Sequence, residues 1–214
     1  MIKRRAHNKC AVTAFLLLLG GSVGAGLVDV PVLPSGGTGA GAIFAQEIQD
    51  PNASGGTDPL AGWFAELADP DYAGWARAQA DIEREWSKSG SAAMDLMLMR
   101  AEQDLDEGDL ESAIEDLTAL TDHAPEFAAG FAARGVAYYM AGDHGPALRD
   151  LAQAVALEPR HFGALGLTGQ IYEEMGQEAR AMVAYSASFA INPHQQDVAD
   201  AIARIKKSQE GTAL

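Results

Sequence analysis

Apolar residues at helical spacing open the readable part of the chain. Leu60, Trp63, Phe64 and Leu67 recur at i, i+3, i+4 and i+7, which lines one face of a helix. Asp58 and Pro59 supply a cap and a first turn, and Asp69-Pro70 stops the helix. A second helix, to about Lys88, carries Trp75, Gln79, Ile82 and Trp86 on one face before Ser89-Gly90-Ser91 breaks the pattern. Together they predict an N-terminal helical hairpin over residues 60–88 that holds all three tryptophans, Trp63, Trp75 and Trp86. Toward the other end, Val198, Ala201, Ile202 and Ile205 give an apolar face to a helix over 196–207, and Lys206 and Lys207 suit its C-terminal dipole. Residues 208–214 are expected to fray.

Between these ends the chain repeats itself with a period of 34 residues. Gly108, Gly142 and Gly176 form one row, and Pro125, Pro159 and Pro193 another. Ala113, Ala147 and Ala181 make a third row; Leu117, Leu151 and Tyr185 make a fourth. The middle unit reads Phe131, Gly135, Tyr138, Gly142, Ala147, Leu151, Ala154 and Pro159, and the last reads Leu165, Gly169, Tyr172, Gly176, Ala181, Tyr185, Ser188 and Pro193. The first, with Met97, Ala101, Gly108, Ala113, Leu117, Leu120 and Pro125, departs furthest, since Asp104 stands at the tyrosine position.

Over these 100 residues the chain resembles the tetratricopeptide family. The resemblance implies an all-α fold, an α-solenoid of three helix-turn-helix units at 94–127, 128–161 and 162–195, closed by the 196–207 capping helix. The 60–88 hairpin is then expected to cover the first unit, its tryptophans packed there as core. Gly135 and Gly169, like Ala101, let the two helices of a unit approach closely. Gly108, Gly142 and Gly176 end the first helices with positive φ, and the prolines end the second helices. Arg100, Arg134 and Thr168 replace a family leucine, so looser packing is expected at that one position.

The first residues read as a leader. Lys3, Arg4, Arg5 and Lys9 precede an apolar run from Ala11 to Leu19, broken by Gly20-Gly21, as in a secretory signal peptide. Cleavage after Ala45 makes 1–45 the signal and 46–59 a disordered linker; cleavage after Ala25 is the alternative. The expected location is exported and periplasmic, in a Gram-negative bacterium. If the uncharged run Cys10–Val28 stays uncleaved, the chain is instead an inner-membrane anchored accessory subunit of an envelope assembly or secretion complex.

Charge narrows the partner. The chain carries 15 basic and 30 acidic residues; without 1–45, which holds four of the former and one of the latter, 11 and 29 remain. Such an acidic surface repels phosphate backbones, so nucleic acid is excluded as a partner. Cys10, the only cysteine, lies in the leader, which leaves no mature disulfide, thiolate nucleophile or cysteine-bound metal. His123, His144, His161 and His194 cluster near the repeat-ending prolines without the i, i+4 pairing of a helical metal site. Asp104, Asp106 and Glu115 approach a calcium-loop spacing, but Gly108 falls out of step with it. No catalytic set, metal or cofactor is expected, and the chain reads as non-enzymatic.

The resemblance places partner binding on the concave face of the first helices. Counting the register forward, that face presents Leu98, Met99, Glu102 and Leu105, then Ala133, Val136, Tyr139 and Met140, then Leu167, Gln170, Glu173 and Glu174. Relatives that clamp a chaperone's acidic C-terminus carry Lys, Arg and Asn there; this face has no basic residue. An apolar groove with an acidic end fits a protein or peptide partner that is amphipathic or basic. The reading of another class is a small-ligand-binding protein or enzyme using the tryptophan hairpin.

Overall fold

The computed structural model describes Asp58 and residues 60–212. The leader, both cleavage points, the 46–57 linker and the last two residues lie outside the described residues. Among the described residues there are nine helices and no strand. In chain order they are α1 (Ala61–Ala68), α2 (Trp75–Trp86), α3 (Ala92–Glu107), α4 (Leu110–His123), α5 (Ala128–Met140), α6 (His144–Leu157), α7 (Phe162–Glu174), α8 (Glu178–Ile191) and α9 (Gln196–Thr212). Pairs α3/α4, α5/α6 and α7/α8 are the three repeat units, stacked in order, and α9 closes the stack against α8. The last helix runs five residues beyond the expected 207, so the tail through Thr212 is helical rather than frayed.

Each unit turns on its glycine. Gly108, Gly142 and Gly176 have φ of 79°, 83° and 71°, a region that costs glycine nothing. The following N–H groups, of Asp109, Asp143 and Gln177, reach back 2.8 Å to the carbonyls of Asp104, Tyr138 and Tyr172. These bonds satisfy carbonyls that the helix ends would leave orphaned.

Within a unit, a large side chain of the second helix lies on a residue of the first that lacks one. A Cβ added to Gly135 would sit 2.8 Å from Leu151, and one added to Gly169 only 2.6 Å from Tyr185. Leu151, Tyr185 and their unit-one counterpart Leu117 are buried, and so are Ala113, Ala147 and Ala181. A fully buried leucine contributes about 1.5–3 kcal/mol.

In the row Arg100, Arg134 and Thr168 the last two are tightly packed, against the looser packing expected, while Arg100 stays 65% exposed. In unit two, Nε and Nη2 of Arg134 donate to both oxygens of Asp150, at 2.6 and 3.0 Å, while Nη1 donates to Thr121 Oγ1 at 2.6 Å. The Asp150 carboxylate raises the basicity of Arg134 further. Asp150 is 5% exposed, so both charges need this bidentate geometry to offset their desolvation. Arg100 and Asp116, each 34 residues earlier, repeat the pair at 3.4 Å. In unit three Thr168 instead donates to the Ala164 carbonyl of its own helix, at 2.8 Å.

The hairpin does not cover the first unit. Leu60, Phe64, Leu67, Ala78 and Ile82 form one cluster with Phe162 of α7, with Ile191 of α8 packed beside it. Trp75 stacks on His194, ring centroids 4.7 Å apart and planes 5° from parallel. Trp86 stacks on His161 at 4.6 Å. Asn192 donates to Gln79 at 2.9 Å, and Arg160 pairs with Asp58 while its guanidinium lies 4.1 Å over the Phe64 ring. All three tryptophans pack against this cluster, and Trp75 and Trp86 do so at the turns 158–162 and 191–194 of units two and three. Trp75 and Trp86 are three helical turns apart on α2, roughly 16 Å of rise, so one face reaches both turns.

The helix-contact glycines differ sharply in what alanine would meet. Gly169→Ala should destabilise by about 1–3 kcal/mol through overpacking against Tyr185. Gly145→Ala, whose Cβ would meet nothing within 4 Å, should be neutral or stabilising by up to about 1 kcal/mol. Urea unfolding of the two variants checks both signs.

Candidate functional site

Contacts of α3 with α5 and of α5 with α7 put the first helices side by side on one face. Successive residues around each helix fall into rows along this face, one residue per unit. The row Glu102, Val136 and Gln170 is half-buried, as are Tyr139 and Met140. Glu174 is exposed, and so is Asp106, its counterpart in unit one, which counting from sequence left out. The 34-residue period through Met140 and Glu174 was the signal that would have included it.

Three expected groove residues are corrected. Leu98, Leu105 and Leu167 are 2%, 8% and 6% exposed and lie in the core. Ala133 and Leu167 in fact turn into the joint with the unit before, while Met99, their counterpart in unit one, is exposed. Leu167 packs with Leu151 and Ala154 of the unit before it, and Ala133 packs against the cluster of Leu117 and Leu120. One residue is about 100° of helix rotation, enough to carry a side chain from a groove to a joint. Glu173 is committed within the fold: Arg204 of α9 donates to both its oxygens at 2.8 and 2.9 Å, and Tyr185 donates at 3.0 Å. The Arg204 bonds, aided by Tyr185, hold its carboxyl below the ordinary glutamate range.

The remaining residues make two electrostatic neighbourhoods. Tyr139 donates its hydroxyl proton to Glu174 at 2.6 Å and accepts from Gln170 Nε2 at 2.6 Å. His144 Nε2 lies 3.5 Å from Glu174, and its ring stacks against Tyr139. Burial, reinforced by the Glu174 carboxylate, pushes the Tyr139 hydroxyl well up, so it stays a neutral donor. The Gln170 Oε1 is buried without a hydrogen-bond partner. At unit one, burial and then the neighbouring Asp106 charge push the Glu102 carboxyl up. A cation brought to either place would relieve uncompensated negative charge. Among the described residues, no group of histidines and acids is arranged to hold a metal ion.

The second constellation, unanticipated in its partners, is the histidine edge beneath the hairpin. His161 caps α7, its Nδ1 accepting from Ala164 N at 3.2 Å, so the neutral ring carries its proton on Nε2. His194 Nε2 lies 3.0 Å from the Asp69 carbonyl, which only accepts, so that nitrogen donates. The sequence showed histidines near the repeat-ending prolines but nothing of the tryptophans that cover two of them. Stacks, a cap and an apolar cluster make this edge part of the packing that holds the hairpin to the array.

No protein-family model matches the chain. A TPR repeat-containing protein of Rhizobium etli is 26% identical over 136 residues, covering 64% of this chain and 66% of that relative, just under two thirds of its length. Among solved structures, the first TPR domain of Spaghetti (RPAP3) bound to an HSP90 peptide aligns with 55% of this chain and 93% of its own, at TM-score 0.53 and 18% identity. The Yersinia enterocolitica type III secretion chaperone SycD, in complex with a peptide of the translocator YopD, aligns over 56% and 96% at TM-score 0.53 and 13% identity. The chain has the fold of a tetratricopeptide solenoid. At these identities the solved structures speak to fold, and the groove chemistry has to be read from this chain's own residues.

Burial beneath Trp86 lowers the His161 ring to about 4 from its ordinary 6.5, against the pull of Glu158. The folded state therefore favours the neutral ring, and its stabilisation is complete above pH 6.5. As pH falls from 6.5 toward 4 the unfolded chain takes up the proton first, and on the order of 2 kcal/mol is lost. Unfolding free energies measured across this window should fall more steeply for the native chain than for His161→Asn, which keeps a cap acceptor but does not titrate.

Proposed function

We propose that this protein is an exported, periplasmic scaffold, non-enzymatic, whose concave tetratricopeptide groove holds an amphipathic or basic segment of a partner protein. The observation that carries the reading is the groove's charge. Glu102, Asp106 and Glu174 face it with no basic side chain among its rows, and two of its groups are already strained toward neutrality by burial. A lysine or arginine from the partner supplies the missing charge. The half-buried Val136 and Met140 offer apolar contact between the two acidic places.

The docked hairpin supports the same reading. Its stacks and hydrogen bonds fall on the turn edge and not on the concave rows, so the hairpin does not compete for them. The peptide-bound structures similar in fold make segment binding a natural use of the face. Export rests on the basic head and apolar run of residues 1–19.

Affinity capture from a periplasmic extract with the mature chain is the test, eluting in high salt and comparing Tyr139→Ala and Met140→Ala. Captured partners should bind the variants about tenfold more weakly, the loss of roughly one buried contact or charged hydrogen bond. Unchanged affinity for every partner would remove the groove from the function. Recovery of the chain only from the cytoplasmic fraction would remove the location.

A further inference from the structure

We propose that the free end of unit one is a second docking surface, built to receive one amphipathic helix of a partner protein as if that helix were a preceding unit's second helix. The argument comes from what the solenoid does with the same positions further along. In units two and three, the row Gly130 and Ala164, the row Ala133 and Leu167, and the row Ala137 and Ile171 turn toward the unit before. Ala164, Leu167 and Ile171 pack in one cluster with Leu151, Ala154 and Val155. Ala133 and Ala137 pack with Leu117 and Leu120, and a Cβ on Gly130 would meet Leu120 at 3.3 Å and Thr121 at 3.5 Å.

The unit-one members of those rows are Leu96, Met99 and Gln103. Leu96 is 51% and Met99 58% exposed, among the largest apolar exposures in the described residues, and Gln103 is also exposed. The hairpin that would ordinarily cover a solenoid end is spent on the edge of units two and three. Arg100 shows the same incompleteness in polar terms. Arg134 is 15% exposed because it bonds Asp150 on one side and, on the other, the Thr121 hydroxyl of the preceding helix. Arg100 has Asp116 at 3.4 Å but remains 65% exposed, and no hydroxyl among the described residues plays the part of Thr121 toward it.

The missing neighbour is thereby specified. It is a helix with small or branched apolar residues along one stripe, as α4 presents Leu117 and Leu120, and a hydroxyl or carbonyl acceptor placed for Arg100. Its flanks are basic, because Glu107 continues the exposed stripe and the chain carries a net charge of −15, which disfavours a second copy. This surface is separate from the concave groove, so either one can fail without the other.

The solenoid itself supplies the probe: a labelled synthetic peptide of residues 110–124, the helix that plays this part toward α5, carrying Glu111→Lys and Glu115→Lys. Fluorescence anisotropy against the full chain should show saturable binding. Leu96→Asp combined with Met99→Asp should weaken it by about tenfold or more, and Thr121→Val in the peptide a few-fold. Tyr139→Ala, in the groove, should leave it unchanged. Hydrogen exchange on the native chain, which needs no variant to fold, should show protection at residues 96–103 when peptide is added. Absence of saturable binding, equal affinity for the double variant, or protection confined to the concave rows would each overturn the proposal. So would a concentration-dependent dimer of the native chain that the double variant abolishes, since the face would then belong to a second copy.

Discussion

The whole array depends on a steric fit repeated once per unit: a large side chain of the second helix seated on a glycine or alanine of the first. Leu151 over Gly135 and Tyr185 over Gly169 bring two helices to a separation that any Cβ would prevent. With that separation set, the positive-φ glycine turns and the buried alanine row follow, because only short turns and small residues fit between helices so close. Identical pairs then stack with identical contacts, which is what lines the first helices up into one face.

The charges inside this frame are of two kinds. Those in the joints are satisfied: Arg134 is held by Asp150 and Thr121, and Glu173 by Arg204 and Tyr185. Those facing the groove are not, and Glu102 and Tyr139 are displaced toward their neutral forms by burial next to like or partial negative charge. Arg134 and Glu173 thus have completed charge partners, whereas Glu102 has only the like charge of Asp106 beside it, and the proposed basic segment answers that contrast. The tryptophan hairpin serves a different end, clamping two inter-repeat turns with parallel rings and so bracing units two and three against each other.

Much of this was legible in the order of residues. A 34-residue period with glycine, alanine and proline at set places determined three helix pairs, their turns and the absence of basic residues on the first helices' face, because each position's demand for size or φ is local. The Arg–Asp joint was legible too, in hindsight, since Arg100 and Asp116 are spaced as Arg134 and Asp150 are. What only the tertiary structure decided was which surfaces meet. The amphipathic face of the hairpin said that it must bury tryptophan, not where, and the rings of His161 and His194 with Phe162 and Ile191, on a distant pair of turns, are what it met. A rotation of one residue likewise moved Ala133 and Leu167 from groove to joint, and Met99 to the exposed end of unit one. Burial of a helix face is written in its own sequence; the identity of the surface that buries it is settled by competition among all the others.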